Sequence, residues 1–503
     1  MIGEGLAKTF DLLIVGGGVN GCGIARDAAG RGLDVCLIEM NDLASATSSA
    51  STKLIHGGLR YLETYEFALV REALAEREVM LTIAPHLVRP LRFVLPVLPG
   101  MRPAWLLRLG LLLYDYLYWR RTLPGTATLD LRQAAAGKPL RETMTRGFEY
   151  SDCRVDDARL VVLNARDAAD RRAAIRPRTK LLDAKRQAGL WRARVETQQG
   201  EIEEIAARAL VNAAGPWAGS LLHSVEGVDQ SAKIRLDQGS HIVVRRMFEG
   251  EQAYIFQTGD GRIVFAIPYE GDFTLIGTTD REYRADPANV HADEDDIAYL
   301  IDAANLYFKQ QLRREDVVWT YAGVRALLDD GATAARATRE YKLVLEATKD
   351  GLPLLYVFGG KITAYRHLAE KALEQLQPFF PRMRRGPWSA DEPLPGGDLA
   401  AGGLVALEAE LAVRFPWLKS TLVARLARSY GTRAWRLLGD AADIAALGRH
   451  FGGGLYELEV GWLMREEWAQ TAEDVLWRRT KLGLRLSPQE VQNLELFMTS
   501  KYS

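Results

Sequence analysis

The chain has 503 residues, of which 48% are hydrophobic, and this is enough apolar material for several packed domains. Lysine and arginine total 64 against 65 for aspartate and glutamate, so the overall charge argues against a nucleic-acid partner. The three cysteines, Cys22, Cys36 and Cys153, show neither a Cys-x-x-Cys pair nor the spacing of metal ligands, so we expect no disulfide scaffold and no metal. The first residues lack the charged start and cleavage site of a signal peptide, which predicts an intracellular protein.

The first elements of the chain predict a strand, a glycine-rich turn, a helix and a second strand. An apolar run at 10–15 is followed by glycines at 16–21 and by an alanine-rich stretch that ends near 30–32. The next apolar run, 35–38, stops at Glu39. This order is typical of a right-handed βαβ unit in a parallel sheet.

The glycines of this turn, Gly16, Gly18 and Gly21, fit the pattern G-x-G-x-x-G of dinucleotide binding. Glycine permits the tight turn, the approach of a pyrophosphate to the backbone and the close packing of helix on strand. The N-terminus of the following helix attracts the phosphates. Glu39 stands where a carboxylate can bind a ribose diol, which argues against NADP and leaves both NAD and FAD open.

The segment 45–62, SATSSASTKLIHGGLRYL, follows directly and is rich in hydroxyl groups and glycine. This composition is suited to wrapping a long, extended cofactor.

The segment 88–121 is the most hydrophobic part of the chain and carries several arginines. Its apolar part, from Trp105 to Trp119, is interrupted by Arg108 and Asp115 and is shorter than the roughly 20 residues of a spanning helix. The two charges lie about two helical turns apart, on one face. An interfacial membrane helix and a buried helix both remain open.

Later segments predict two further domains. Apolar runs at 209–213 and 354–358 predict strands that return to the first sheet. Alternating patterns within 238–280 predict an antiparallel sheet, which would belong to a domain inserted into the first. After a turn-rich linker at 393–403, helical periodicity predicts a separate C-terminal domain.

Four stretches together resemble the FAD-dependent glycerol-3-phosphate dehydrogenases, a family within the D-amino-acid, glycine and sarcosine oxidase superfamily. They are the segment 45–62, AAGPWA at 213–218, AGVR at 322–325 and FGGKITAYR at 358–366. The resemblance covers about 11–366, and the helical C-terminus is similar in position and character.

The resemblance implies an α/β fold with a Rossmann-like FAD-binding domain, an inserted substrate domain with a mainly antiparallel sheet, and a helical C-terminal domain. We assign 1–90, 150–235 and 336–385 to the FAD-binding domain, 91–149 and 236–335 to the substrate domain, and 386–503 to the helical domain.

It also implies FAD as the cofactor and a set of residues that contact it. That set is Gly16, Gly18, Gly21, Glu39, Thr47, Ser48, Gly57, Gly58, Ala214, Gly215, Gly360, Lys361 and Thr363. Lys361 has a physical role as well, because a lysine at a helix N-terminus can stabilise negative charge on a reduced flavin.

For the substrate, the resemblance implies sn-glycerol 3-phosphate and its oxidation to dihydroxyacetone phosphate. Arg60, Tyr61 and Arg339 would bind it, with Arg336 as an alternative to Arg339 because the spacer after Arg325 is shorter than in the family and has Ala326 in place of a proline. Catalysis is assigned to His241, Arg325 and Lys361. Arginine suits a phosphate because its planar fork can hold two oxygens, and imidazole is the usual base near neutral pH.

The family further implies a membrane quinone as electron acceptor and peripheral attachment of the protein to lipid at the inner face of the cell membrane. A homodimer is left open. The alternatives are an oxidase that passes electrons to oxygen, a related flavin amine oxidase, and a flavin-binding sensor without turnover.

Overall fold

The computed structural model describes residues 8–62, 65–98, 103–118, 122–226, 234–328, 341–347 and 351–502. The strands are β1 (Thr9–Val15), β2 (Val35–Ile38), β3 (Leu54–Ile55), β4 (Val88–Pro96), β5 (Ala127–Asp130), β6 (Arg146–Val155), β7 (Ala174–Arg176), β8 (Lys180–Gln187), β9 (Leu190–Glu196), β10 (Ile202–Asn212), β11 (Ile234–Arg245), β12 (Ala253–Gln257), β13 (Ile263–Tyr269), β14 (Phe273–Tyr283), β15 (Val317–Leu328), β16 (Lys342–Ala347), β17 (Pro353–Phe358), β18 (His450–Gly452) and β19 (Leu455–Tyr456). The helices are α1 (Val19–Gly30), α2 (Phe67–Ile83), α3 (Ala104–Tyr116), α4 (Asp157–Asp170), α5 (Ala218–Leu222), α6 (Glu294–Tyr307), α7 (Tyr365–Leu376), α8 (Gly403–Arg414), α9 (Ser420–Tyr430), α10 (Ala434–Leu438), α11 (Glu457–Glu467) and α12 (Pro488–Tyr502).

The first sheet carries the predicted βαβ unit. Its central strand β1 pairs in parallel with β2 on one side and β10 on the other, and β7 and β17 extend the parallel set. The strands predicted at 209–213 and 354–358 correspond to the end of β10 and to β17, so both return to this sheet as expected. Helices α1, α4 and α7 cover one face with a shared apolar core, which is the layered arrangement of an α/β domain.

The second sheet has nine strands and lies over the carboxyl ends of the first. Strands β11, β13, β14 and β15 pair antiparallel, which confirms the sheet predicted within 238–280, whereas β12 and β4 pair in parallel. Helix α6 packs on one face, and α2 and α3 pack on the other. Since β4 begins at Val88 and β6 ends at Val155, this sheet extends a few residues beyond the predicted segment 91–149.

The C-terminal part is a helical domain with its own apolar core, as predicted, together with one short hairpin of β18 and β19. Buried ion pairs attach it to the first domain. Arg479 binds Asp42, which follows β2, and Glu467 pairs with Arg159 of α4. Both arginines are fully buried, so this interface is fixed by charge pairs as well as by apolar contact.

Helix α3 turns an apolar stripe outward. Trp105 is 69% exposed and Tyr116 is 80% exposed, with Leu109 and Leu112 between them on the same stripe. Among the described residues, no helix has the length and hydrophobicity needed to cross a bilayer.

Candidate active site

A cavity of about 620 Å³ lies between the two sheets. The carboxyl ends of β1, β2, β10 and β17 form one wall, and strands β11, β13 and β15 contribute the other. This is the place where ligands bind in open parallel sheets. The cavity is lined by most of the residues predicted for the site: Gly16, Gly18, Glu39, Thr47, Ser48, Gly58, Tyr61, Ala214, Gly215, His241, Arg325, Gly360, Lys361 and Thr363.

The glycine turn after β1 requires glycine at two positions for different reasons. Gly16 has a backbone φ of 118°, which residues other than glycine rarely adopt, and an added Cβ would collide with the carbonyl of Ala213. Gly21 lies behind the cavity wall, where a Cβ would collide with the carbonyl oxygen of Gly16. Helix α1 can therefore pack tightly against β1, and its N-terminus faces the cavity.

Glu39 is tied to this turn. Its carboxylate accepts hydrogen bonds from the backbone N–H of Gly17 at 2.7 Å and of Asn41 at 2.8 Å. Burial raises the pKa of Glu39, and the two amide donors oppose that shift. A carboxylate fixed in this way lies at the cavity edge with oxygen lone pairs left for a ribose hydroxyl.

The segment after β2 joins the two sheets. Thr47 Oγ1 donates to the carbonyl of Val324 on β15 at 2.6 Å, and Ser48 Oγ accepts from the N–H of Val19 at the start of α1 at 2.9 Å. Some hydroxyl side chains of 45–52 therefore hold the segment in place, and residues of the same segment line the cavity.

The turn after β17 also lines the cavity, as part of the wall formed by the first sheet. Gly360 has a φ of 95°, and Asn20 of α1 donates to the carbonyl of Gly359 at 3.0 Å. Lys361 precedes the short 3-10 turn Ile362–Ala364, and its Nζ lies 3.6 Å from the centre of the Tyr61 ring. This cation–π contact holds the ammonium group over the cavity.

His241 lies on β11 and is almost fully buried. Its Nε2 is 3.0 Å from Thr52 Oγ1, and its ring stacks on Tyr321 with centroids 4.6 Å apart. Burial, followed by the charge of Lys53, lowers the pKa of His241 to about 3. The ring is therefore neutral at physiological pH.

A second histidine, His56, also lines the cavity and was not among the predicted site residues. Its Nδ1 accepts from the N–H of Gly58 at 3.1 Å, so the proton of the neutral ring is on Nε2. Burial lowers the pKa of His56 to about 4, and the positive charges of Lys361 and Arg325 add to this effect. The available signal was its place next to two glycines in the segment 45–62.

Arg325 of β15 lies close enough to both imidazoles to depress their pKa values. The cavity thus gathers Arg325, Lys361, His56 and His241 from four separate parts of the chain. Arg60 falls in the short helical turn Leu59–Leu62, and its side chain is outside the described residues, as are Arg336 and Arg339 entirely.

Gly57 has a different position from the one expected of a cavity residue. It is not among the residues that line the cavity, and its N–H donates to Tyr114 Oη of α3 at 2.8 Å. Tyr114 in turn donates to Asp152, which is paired with Arg77, and all three side chains are buried. This network fixes the glycine turn next to His56.

The model of the FAD dependent oxidoreductase family matches residues 11–366 of the chain. The chain belongs to this family. Within the remainder, residues 388–495 match the model described as the C-terminal domain of alpha-glycerophosphate oxidase.

Relatives of this FAD-dependent oxidoreductase cover nearly its full length. It is 55% identical to a glycerol-3-phosphate dehydrogenase of Pseudomonas aeruginosa, over 99% of this chain and 96% of that protein. It is 52% identical to a D-erythritol 1-phosphate dehydrogenase of Brucella abortus, over 96% of each. The crystal structure of the glycerol-3-phosphate dehydrogenase of Bacillus halodurans with FAD has a TM-score of 0.77 at 29% identity, covering all of this chain and 92% of that one.

FAD is the cofactor of the family, and the cavity fits it. The turn after β1 is packed against Ala213 and carries only glycines at 16–18, which leaves its cavity side open to a pyrophosphate, and Glu39 stands at the position expected to bind the ribose. Asn20 Oδ1 is buried without a hydrogen-bond partner among the described residues, which leaves an acceptor at the N-terminus of α1. Gly16, Gly18, Glu39, Thr47 and Ser48 would hold the adenosine diphosphate part.

Proposed function

We propose that this oxidoreductase oxidises sn-glycerol 3-phosphate to dihydroxyacetone phosphate. The proposal rests on one observation. Arg325 and Lys361 line the same cavity as the neutral imidazoles of His56 and His241, beside the glycine turn after β1. Positive charge suits a phosphorylated substrate and the oxygen that becomes its carbonyl, and a neutral imidazole is in the protonation state that can accept a hydroxyl proton. The name of the Pseudomonas aeruginosa relative agrees with this substrate.

When FAD is bound, it supplies the acceptor for the hydride from C2 of the substrate. With the ring proton of His241 on Nδ1, Thr52 of the cavity lining can pass the substrate's hydroxyl proton to Nε2 of His241, since a hydroxyl donates one proton while it accepts another. His56 has its proton on Nε2 and can only donate, so it and Arg325 stabilise the oxygen that becomes the carbonyl. Arg60 and Arg339 are proposed to bind the phosphate.

The purified holoprotein tests this directly. Under anaerobic conditions, glycerol 3-phosphate should bleach the visible flavin bands, and glycerol without phosphate should not do so at the same concentration. A flavin spectrum that does not change with glycerol 3-phosphate would contradict the proposed substrate.

A second candidate substrate is D-erythritol 1-phosphate, because the Brucella abortus relative named for it is nearly as similar as the first. Both compounds are phosphate monoesters of a polyol, so the same cations would bind either one. The ratio of kcat/KM for the two substrates decides between them. We expect glycerol 3-phosphate to be preferred, and a preference for the four-carbon substrate would reassign the protein.

We further propose that the protein attaches peripherally to the inner face of the cell membrane and passes its electrons to a quinone. The outward apolar stripe of α3 suits the lipid interface. Leu106, Leu107 and Gly110 of the same helix line the cavity, so the helix that would face lipid also borders the cofactor site. Flotation with anionic liposomes at low salt should carry the protein upward, and a protein that stays at the bottom would contradict attachment.

The alternative acceptor is oxygen. Addition of substrate in air should produce little hydrogen peroxide, while a soluble quinone analogue should be reduced quickly. Stoichiometric peroxide with no quinone reduction would identify an oxidase instead.

A further inference from the structure

The segment Ser51, Thr52 and Lys53 lies between the cavity and the C-terminal domain, and it is held in an unusual conformation. Lys53 has a φ of 59°, a left-handed backbone that costs free energy for a residue with a Cβ. Lys53 N–H donates to Ser51 Oγ at 2.9 Å, and Tyr321 Oη donates to the carbonyl of Ser51 at 2.8 Å. Thr52, between them, is thereby directed at His241.

Asp157, the first residue of α4, anchors this segment from below the cavity. Its carboxylate accepts from Ser51 Oγ at 2.7 Å and from Lys53 Nζ at 2.8 Å. Asp157 is 0% exposed and Lys53 is 5% exposed. Burial alone would raise the pKa of Asp157, but Lys53 and Lys481 hold it below its ordinary value.

The C-terminal domain reaches the same carboxylate from the other side. Lys481, only 3% exposed, has its Nζ 4.0 Å from Asp157 and donates to the carbonyl of Trp477. Trp477 stacks on Trp319 of β15 with ring centroids 4.3 Å apart. Trp319 in turn contacts Tyr321, the ring on which His241 stacks.

We propose that the C-terminal domain takes part in catalysis by positioning the proton path, with Lys53 and Lys481 as positioning residues. The two lysines clamp Asp157, Asp157 fixes Ser51, and the segment so fixed presents the Thr52 hydroxyl to His241. Neither lysine is among the described residues that line the cavity. The proposal rests on the proposed role of His241 as proton acceptor.

The electrostatic setting of His241 follows from the same arrangement. The charged groups that act on it are Lys53, Asp157 and Arg325, while Tyr321 of β15 stays neutral because burial raises its pKa. Loss of the Lys53 charge would leave Asp157 acting more strongly on the imidazole and raise the pKa of His241. Lys53→Met should therefore make the rate fall earlier on the acid side of the pH profile, and Lys53→Arg should restore the unaltered profile.

The test is the limiting rate of anaerobic flavin bleaching per bound FAD, with whichever of the two phosphorylated alcohols bleaches the unaltered protein faster. Lys53→Met and Lys481→Met should lower this rate about ten- to a hundredfold, because misplacement of a catalytic group by about 1 Å has effects of that order. Substrate affinity should change little. Lys185→Met, at an exposed lysine of β8, is the matched control and should bleach like the unaltered protein.

Two further variants keep the proposal testable if Lys53→Met does not fold. Thr52→Val removes only the hydroxyl at nearly constant volume and should give a similar loss. In a His241→Ala background, Lys481→Met should have no additional effect, since both changes interrupt one path.

Unchanged bleaching rates in Thr52→Val and Lys481→Met, or a Lys481→Met effect that persists undiminished in His241→Ala, would overturn the positioning role. Failure of the proposed function has a different signature, because then neither substrate bleaches the unaltered holoprotein.

Discussion

The two walls of the cavity are built in different ways. The wall from the first sheet consists mainly of backbone: the turns at Gly16 and Gly360 and the start of α1 present N–H groups and space. The wall from the second sheet consists of side chains, among them His241 of β11 and Arg325 of β15. The first wall therefore depends on close backbone packing at Gly16 and Gly21, whereas the second depends on charge and on protonation.

Substitution in the backbone wall should have the largest effect. Gly21→Val places side-chain atoms against the carbonyl of Gly16 and should displace the glycine turn, and a loss of about 3 kcal/mol of binding free energy from that displacement corresponds to a loss of over a hundredfold in FAD affinity. The protein should purify colourless. Gly259→Ala, where an added Cβ meets open space, is the control and should keep its flavin. A yellow Gly21→Val protein would contradict the cramped turn.

Substitution of the proposed base in the side-chain wall should leave the cofactor in place and remove turnover. His241→Ala should lower kcat about a hundredfold or more, the usual contribution of a general base, at unchanged FAD content. The exposed His291 provides a control, and His291→Ala should be fully active. If His241→Ala turns over near the normal rate, the proton acceptor lies elsewhere.

Arg325→Lys keeps a charge in the second wall but loses the planar fork. We expect kcat/KM to fall about 10- to 100-fold, in line with about 1.5–3 kcal/mol for a charged hydrogen bond. Arg281→Lys on β14 of the same sheet, where the arginine pairs with Asp293 at the surface, should have little effect. If the two variants have the same kcat/KM, Arg325 does not contribute to substrate binding.

Stability against acid should depend on buried histidines, two of which belong to the second wall. Burial lowers the pKa of His241 and of His86 to about 3, and of His56 to about 4, below the 6.5 expected when unfolded. The folded state then binds fewer protons than the unfolded state, so stability is complete above pH 6.5 and is lost as pH falls toward 4. At pH 5 each of these histidines should have lowered the free energy of unfolding by up to about 2 kcal/mol. A Tm that is constant between pH 7 and pH 5 would contradict these neutral rings.

The smallest effect on chemistry should come from the outer face of α3. Leu109→Glu together with Leu112→Glu puts charges on the exposed stripe and should weaken liposome binding, while flavin bleaching in solution stays normal. Val413→Glu, an exposed apolar position of the C-terminal domain, is the control and should float with liposomes as before. Undiminished flotation of the α3 variant would place membrane contact on another surface.

The contrast between the walls also explains what the sequence could predict. The residues of the backbone wall lie close together in the sequence. Gly16, Gly18, Gly21 and Glu39 occur within one βαβ unit, and their spacing predicts their relative positions. The strands at 209–213 and 354–358 and the inserted sheet were predictable from periodicity. By contrast, the pairing of Thr52 with His241 joins residues 189 positions apart, and no local pattern encodes it.

Three features escaped prediction for the same reason. His56 was part of a recognised segment, but its role depends on Gly58 N–H and on two cations from β15 and the turn after β17. Gly57 binds Tyr114 of α3 instead of lining the cavity. The contact of Lys481 with Asp157 joins the C-terminal domain to the site through a buried charge cluster that periodicity cannot indicate.

The most direct test of the central claim is the rate of anaerobic flavin bleaching by glycerol 3-phosphate with hydrogen or deuterium at C2. If the cavity holds this substrate with its C2–H bond directed at the cofactor, the bands bleach and the deuterated compound reacts several-fold more slowly. A holoprotein whose flavin spectrum is unchanged by either compound would contradict the account.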